Sequence, residues 1–343
     1  MGSLLASLTT ILVIVLTAAL AVPYLIDWNA YRDVFEAQAA KVFGRQVKID
    51  GDVDLKLLPI PTLKMHGLRV ADDMGKFKRP FAEVKGFDMV LSLPSLLGGT
   101  IEAKQLQLDQ PVIRLEVDEL GESNWQSVGP LGSNIPVRQV VLSKVDINDG
   151  AFEFRHGKGA SPSRIDSISG TLAADSLTGP FRFTGTANIA GDNRDVRLST
   201  DRIENQGFHL KGAIRALNGG SLYQVDGQVN GLDGALKYTG PIIAQLSLDT
   251  VAKETANTDI GELKLGKAME LRASSTISLE DVKLENIAFT LTQNDQPQSL
   301  SGSAFASWGD KPRLDIAIDA TWLDVDQMLR VVGEAQDSQS APA

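Results

Sequence analysis

The chain of 343 residues contains no cysteine and only three histidines. The missing cysteine excludes disulfides, thiolate nucleophiles, and zinc or iron–sulfur sites held by cysteine. The histidines, His66, His156 and His209, are far apart in the sequence, and none lies in a His-x-His or His-Glu-x-x-His pattern. We therefore expect neither a metal site nor another cofactor.

Basic residues are too few for a protein that binds nucleic acid. Lys and Arg number 33 against 43 Asp and Glu, which gives a formal net charge of −10. Neutralising the phosphates of DNA or RNA requires the opposite balance, so we expect no nucleic-acid partner. Apolar residues make up 43% of the chain and charged ones 22%, which predicts a folded body with a core.

Catalytic patterns are also missing. The run Gly261–Lys267 has the spacing of a phosphate-binding loop, but Ala268 stands where that loop needs the Ser or Thr that binds Mg²⁺. No Gly-x-Ser-x-Gly nucleophile motif occurs, and acidic pairs are too common among 43 carboxylates to nominate a glycosidase pair. We therefore do not expect an enzyme.

Charge is absent from the first 26 residues, Met1–Ile26. About 22 apolar residues form roughly 33 Å of helix, and a bilayer core is about 30 Å thick. This predicts a transmembrane anchor over residues 1–26, held in the membrane through residues 4–26. A cleaved signal peptide is the alternative, because Ala19-Leu20-Ala21 is an acceptable cleavage site, although no basic residues precede the apolar run.

One amphipathic helix is predicted directly after the anchor. Asp27 can cap its start, and Gly44 is placed to end it. Its apolar positions recur at helical spacing: Trp28, Tyr31, Phe35, Ala39 and Val42. Such a helix either lies on the membrane surface or covers the end of a sheet.

From Val47 onward the hydrophobic period is that of a strand. Apolar and charged residues alternate from Val47 to Leu57, which predicts one strand with one face in water. The same alternation returns along the chain: Ile113–Val117, Phe152–Arg155, Phe181–Phe183, Val196–Leu198, Ile287–Leu291 and Leu314–Asp319. Gly, Asn, Asp and Pro separate these runs, which is typical of sheets built from successive strands.

Two pairs of neighbouring runs predict hairpin-like units. Ala103–Leu108 is followed by Gln110–Ile113, and Arg138–Leu142 is followed by Asp146–Ile147. Each pair predicts a strand, a turn and an antiparallel return strand. One short helix is predicted near the end of the chain, between Leu323 and Val332, where apolar residues recur at three- and four-residue steps.

The first third of the chain contains several short motifs: Asp27-Trp28-Asn29-Ala30-Tyr31-Arg32, Gly44-Arg45-Gln46-Val47, Gly51-Asp52-Val53 and the run Leu57–Leu63. In their order and spacing these motifs resemble the N-terminal region of the AsmA family. Three further motifs extend the resemblance: Pro94–Gly99, Leu108–Ile113 and Gly121–Trp125. Beyond Trp125 the chain resembles the family only in being rich in predicted strands that glycines separate.

These observations together predict four segments. They are a transmembrane anchor (1–26), an AsmA-like N-terminal module of helix and strands (27–125), a β-rich repeat region (126–333), and a disordered tail or linker (334–343). The resemblance implies a mostly β fold, with an elongated, curved antiparallel β-sheet groove of hairpin-like units. It also implies a single-pass anchor in the bacterial inner membrane, a body in the periplasm, and relatives among bridge-like lipid transfer proteins.

A sheet that is apolar on one face must bury that face against something. In a groove, the acyl chains of phospholipid would cover the apolar face; in a sandwich, a second sheet would cover it. The alternation of apolar and polar residues is the same in both, and the resemblance favours the groove. The candidate lining residues are Leu106, Leu108, Ile113, Leu115, Phe152, Phe154, Phe181 and Phe183.

Two functions follow from these expectations. The first is assistance of phospholipid transport toward the outer membrane, by binding acyl chains in the groove. The alternative is a scaffold or assembly factor that influences outer-membrane protein assembly, with envelope proteins as partners and no lipid conduction.

Overall fold

The computed structural model describes residues 10, 26–56, 59–72, 75–97, 103–118, 122–125, 142–157, 161–175, 179–203, 207–217, 220–232, 235–246, 268–293, 296–308 and 312–322. Apart from residues 10 and 26, the predicted anchor segment 4–26 lies outside them, as do the predicted helix after Leu323, the run Gly261–Lys267 and the tail 334–343. No helix within the described ranges is long and apolar enough to cross a bilayer.

The chain divides into two compact units. The first consists of Met1–Leu217 with Asp226–Lys237, and the second of Asn218–Val225 with Tyr238–Ala343. Both units are built almost entirely from strands, which confirms the prediction of a mostly β fold.

The helix predicted after Asp27 is present. A 3₁₀ turn, Trp28–Tyr31, leads into helix α1, Arg32–Phe43. The Asp27 carboxylate accepts a hydrogen bond from the Asn29 N–H (3.0 Å), and Gly44 ends the helix with φ 68°. Tyr31, predicted on the apolar face, is instead 51% exposed. The second helix, α2 (Leu93–Leu97), was not predicted, because one turn is too short to show a helical period.

Eleven of the described strands lie wholly in the first unit. They are β1 (Val47–Ile49), β2 (Val53–Lys56), β3 (Thr62–Val70), β4 (Ala82–Leu91), β5 (Ala103–Asp109), β6 (Val112–Val117), β7 (Leu142–His156), β8 (Ser163–Ala174), β9 (Phe181–Ile189), β10 (Asp192–Thr200) and β11 (Gly207–Ala216). Strand β12 (Ser221–Asn230) contributes residues to both units. From β3 to β11 the described strands follow their chain order across the sheet, and each pairs with its neighbour. Strands β5 and β6 share one position in this order, because both pair with β4 on one side and with β7 on the other.

The single strand predicted from Val47 is two strands in the structure. Both β1 and β2 pair with β3, and Gly51 lies between them. The Gly51 N–H donates to the His66 carbonyl (2.9 Å), and a Cβ on Gly51 would lie 2.7 Å from the His66 Cβ. Gly67, which lies on β3 opposite this point, has φ 68°. The hydrogen-bond ladder is therefore irregular here, and the alternation of side chains between the two faces is interrupted.

The predicted hairpins around Gln110 and between Leu142 and Asp146 are wrong. Strands β5 and β6 follow one another along a single line between β4 and β7, and both pair with β7 in parallel. Gln110 has φ 48° and donates its N–H to the Asn148 carbonyl (2.8 Å), so Gln110 and Pro111 kink the line without reversing it. Strand β7 runs unbroken through Leu142 and Asp146. The sheet of the first unit is therefore mixed and not purely antiparallel.

The most tightly packed part of the first unit lies where α1 meets β1 to β4. The buried cluster consists of Val47, Ile49, Val53, Leu63, Met65, Leu68, Val70 and Val84. Phe35, Ala39 and Phe43 of α1 pack against this cluster. The Glu36 carboxylate accepts a hydrogen bond from the Ile49 N–H (2.7 Å), so the helix also satisfies the edge strand β1. The sequence predicted that this helix either lies on the membrane surface or covers the end of a sheet; in the structure it covers the end of a sheet.

The second unit contains an antiparallel meander. Its described strands are β13 (Lys237–Leu246, from Tyr238 onward), β14 (Ala268–Ser278), β15 (Asp281–Gln293), β16 (Gln296–Ser307) and β17 (Arg313–Trp322). Strands β14, β15, β16 and β17 pair in that order. Bulges interrupt β14 near Arg272 and β15 near Asn286, whose φ is 52°.

Candidate functional site

A continuous apolar row crosses the sheet of the first unit. Residues that are direct partners on neighbouring strands project from the same face. The register joins Leu63, Met89, Leu106, Val145, Leu172, Phe183 and Leu198, one from each of β3, β4, β5, β7, β8, β9 and β10. Seven strands at about 4.8 Å per step give a row of roughly 29 Å. We call the side of the sheet that carries this row the apolar face.

A second row runs beside the first, two residues along each strand. Its members are Met65, Phe87, Leu108, Ile147, Gly170, Gly185, Val196 and Ile214. Towards the other end of β7, Ile113 is the partner of Phe152, and Leu115 is the partner of Phe154. Phe181 is the partner of Ala174. The register of β7 and β8 shifts between Ile147 and Phe152. Ser169 and Asp166 are the partners of Thr186 and Asn188 on one side of β9, so their neighbours Gly170 and Ile165 lie on the other side, together with their own partners Ile147 and Phe152. All eight predicted lining residues therefore lie on one face of one sheet.

Much of this face is open to solvent. Ile113 is 43% exposed and Leu198 is 38% exposed, and Phe152, Phe154, Phe181 and Phe183 are each only half-buried. Buried members are concentrated toward the core cluster and along the first row, for example Leu106 and Val145. A closed sandwich core would bury these side chains almost completely. The described part of the first unit has the surface of an open, groove-like sheet.

The apolar side of the second unit is more exposed still. Strand β17 places Leu314, Ile316 and Ile318 opposite Ala306, Ala304 and Gly302 of β16. Their exposed fractions are 67%, 57% and 58%. The sequence predicted a strand with alternating apolar residues here, but it did not predict that these branched side chains would be exposed.

The reverse side of the first sheet is polar. Lys64, Asp88, Gln107, Asp146, Thr171 and Thr184 follow one another across β3, β4, β5, β7, β8 and β9. The Lys64 ammonium lies 2.7 Å from the Asp88 carboxylate, and this hydrogen bond raises the pKa of Lys64. Hydrogen bonds from Lys144, Thr171 and Gln105 lower the pKa of Asp146.

Farther along β7, the same polar side carries an ion-pair network centred on Glu153. Its carboxylate lies 3.4 Å from both Arg79 and Arg114 and also pairs with Arg164. Because consecutive strand residues point to opposite sides, Glu153 lies behind Phe152 and Phe154. The two sides of β7 therefore differ sharply: one offers aromatic rings and the other paired charges.

Five further residues belong to the apolar face, although the sequence analysis did not name them as lining residues: Leu172, Leu198, Val145, Ile147 and Val196. Leu198 and Val196 stand in a run whose alternation was recognised, so the same signal could have found them. Leu172 lies in Ser163–Ala174, where small polar residues hide the alternation.

The motifs that carry the family resemblance are joined in space. The Asn29 side-chain oxygen accepts a hydrogen bond from the Val53 N–H (3.0 Å). The Arg45 guanidinium donates to the carbonyl oxygens of Ala71 (3.3 Å) and Asn124 (2.5 Å). Trp125 is buried. These hydrogen bonds join the motifs within the N-terminal module.

The apolar face offers a hydrocarbon surface built from aliphatic and aromatic side chains. Within the described ranges, no group of three His, Asp or Glu side chains could hold a metal ion. The apolar face can bind hydrocarbon by excluding water from it, at about 25 cal/mol per Å² buried.

Comparisons with known proteins agree with the motifs. The model of the AsmA family matches residues 2–135, which is the region that carries all of the motifs above. Neither a search of curated proteins nor a search of solved structures found a significant match. The match supports an AsmA-family assignment for residues 2–135 of the chain.

Proposed function

We propose that this protein is anchored in the bacterial inner membrane, extends its body into the periplasm, and binds the acyl chains of phospholipid along the apolar face. By binding lipid there, the protein would assist phospholipid transport toward the outer membrane. The observation that carries the proposal is the continuous apolar row from Leu63 to Leu198, which is partly exposed from Leu172 to Leu198.

The chemistry of the two sides supports this function. Acyl chains gain by leaving water, and the apolar face presents aromatic and branched side chains to them. Phosphate head groups lose hydration if they are buried without partners, so they remain at the margins of the face. Movement along such a surface needs no bond cleavage, so the proposed function requires no enzymatic step.

Site-specific photocrosslinking in the full-length protein tests the proposal. Benzoylphenylalanine replaces Phe154 on the apolar face in one variant and Thr184 on the polar side in the matched control. After irradiation of cells, we expect phospholipid adducts at position 154 and few at position 184. Equal labelling at both positions, or none at 154, would refute acyl-chain binding; the scaffold function would then become the better account. Because each adduct is assigned to its residue, lipid around an anchor does not confuse the result.

The absence of native cysteine makes the proposed topology testable in the same background. A single cysteine at exposed Thr184 is treated with a membrane-impermeant maleimide in intact spheroplasts. Labelling is expected if the body lies in the periplasm. Labelling only after lysis would place it on the other side of the membrane.

A further inference from the structure

Strand β17 is an exposed edge strand of the second unit. Within the described residues it pairs with β16 alone, and every residue from Pro312 to Ala320 is exposed. An edge strand presents a row of backbone N–H and C=O groups with which another strand can pair. The edge strand β1 of the first unit is protected differently, because the Glu36 carboxylate of α1 accepts a hydrogen bond from the Ile49 N–H (2.7 Å). Strand β17 therefore offers its outer edge to a further strand.

The sequence of β17 contains few of the features that discourage edge pairing. Natural edge strands are often interrupted by proline, lysine or a bulge. From Arg313 to Ala320 the strand has no proline, lysine or glycine, and its register with β16 is regular. On one side Leu314, Ile316 and Ile318 are 67%, 57% and 58% exposed. These side chains gain by contact with apolar side chains of an added strand.

The residues of β17 are complementary to a second copy of the same strand. In an antiparallel pair centred on Ile316, Leu314 lies opposite Ile318 of the second copy. On the reverse side, Arg313 lies opposite Asp319 of the second copy. Opposite residues have Cβ atoms about 4.5–5.5 Å apart, a distance that suits both apolar and opposite-charge pairs. Because the pair has twofold symmetry, each of these two contacts is made twice.

The charges favour this register over its neighbours. Moving the centre to Asp315 would place that carboxylate opposite itself, and moving it to Ala317 would place Asp315 opposite Asp319. Like charges directly opposite each other destabilise a strand pair. Arg313 pairs with Asp315 of its own strand at 2.5 Å and lies over the Phe305 ring, yet its side chain is 70% exposed. A guanidinium has five N–H donors, of which one carboxylate uses at most two, so Arg313 can also bind Asp319 of a second copy.

We propose that β17 is a dimerisation strand, whose outer edge pairs antiparallel with β17 of a second copy of this chain, centred on Ile316. The pairing keeps Leu314, Ile316 and Ile318 of both copies on the same side and joins them into one apolar surface. The dimer is formed by described residues of the second unit and does not depend on acyl-chain binding in the first.

Single cysteines report this pairing directly, since the chain has none of its own. In the full-length protein in detergent micelles, oxidation of Ile316→Cys should give a disulfide-linked dimer, because opposite residues on paired strands lie within disulfide range. Leu314→Cys should not link to itself, since the two cysteines would lie about 14 Å apart along the strands. It should link to Ile318→Cys when the two variants are mixed. Leu198→Cys, an exposed position of the first unit, is the control for random collision.

Charge reversal tests the register independently. Arg313→Asp places two carboxylates opposite each other at both ends of the pair and should weaken dimerisation about tenfold or more, as measured by sedimentation in the same micelles. Asp319→Arg should weaken it similarly, and the double variant Arg313→Asp/Asp319→Arg should restore it. The control Arg197→Asp on β10 changes the net charge as Arg313→Asp does and should leave dimerisation unchanged. Circular dichroism and thermal melting confirm that each variant is folded.

Four results would each overturn the proposal. They are a wild-type protein that stays monomeric, an Ile316→Cys variant that links no more than Leu198→Cys, a dimer that Arg313→Asp leaves intact, and a double variant that fails to restore dimerisation. A dimer insensitive to Arg313→Asp would be held by another part of the chain. None of these results bears on acyl-chain binding, which the photocrosslinking at position 154 tests separately.

Discussion

Arg45 and Asn124 lie 79 residues apart in the chain and are joined by a hydrogen bond of 2.5 Å from the guanidinium to the Asn124 carbonyl oxygen. Arg45 is buried, also reaches the Ala71 carbonyl, and lies 5.1 Å from the centre of the Phe81 ring. One side chain therefore connects two motifs of the AsmA family region through backbone acceptors and an aromatic face.

The variant Arg45→Lys should destabilise the N-terminal module by about 1–3 kcal/mol, because a single ammonium cannot replace the planar fork and its ring contact. Hydrogen exchange should show faster exchange at residues 122–125. The exposed Arg197→Lys serves as the control and should change neither stability nor exchange. Unaltered exchange at 122–125 in Arg45→Lys would mean that this contact does not hold the segment.

Gly170 and Gly185 are direct partners on β8 and β9 and leave a shallow place in the second apolar row. A Cβ on Gly185 would lie 2.2 Å from the Ser169 carbonyl oxygen and 2.8 Å from the Phe183 ring. Gly185→Ala should therefore cost about 1–3 kcal/mol or more, since backbone atoms would have to move. Urea unfolding of Gly185→Ala and of exposed Thr186→Ala measures the difference; equal stabilities would show that the two strands can separate easily.

The pair Leu115 and Phe154 gives a direct test of the apolar face. Changing either residue to Asp places a carboxylate where acyl chains are proposed to lie. Desolvating it there should lower labelling of the β6 and β7 peptides by phospholipid with photoactivatable acyl chains about tenfold or more. Thr184→Asp on the polar side is the matched control. Labelling of the peptide from residues 4–26 provides an internal standard. Undiminished β6 and β7 labelling in both apolar-face variants would contradict the proposed site.

Alternation in the sequence indicates which residues of one strand share a side, but it does not indicate how the strands pair. All eight nominated residues share one side, because the two-residue period of a strand is a local property that a short run reveals. The parallel pairing of β5 and β6 with β7 depends on Gln110 adopting φ 48°, and a Gln-Pro pair signals a break without saying whether the chain reverses or only kinks. Contact between Leu172 and its partner Phe183 follows from register across strands, which no single run contains.

Asp146 should make part of the first unit sensitive to acid. Hydrogen bonds from Lys144, Thr171 and Gln105 lower its pKa in the folded state, so the folded protein binds this proton less readily than the unfolded chain. The stability that Asp146 contributes is therefore fully present above the unfolded pKa of about 3.9. It is lost as the pH falls through the lower folded value. Melting temperatures of wild type and Asp146→Asn measured from pH 7 to pH 2 should differ most near neutrality and converge in acid. Asp192→Asn, at a carboxylate whose side chain is 70% exposed, is the comparison. A wild-type advantage over Asp146→Asn that persisted unchanged at pH 2 would mean that the ionised carboxylate is not what stabilises this part of the polar face.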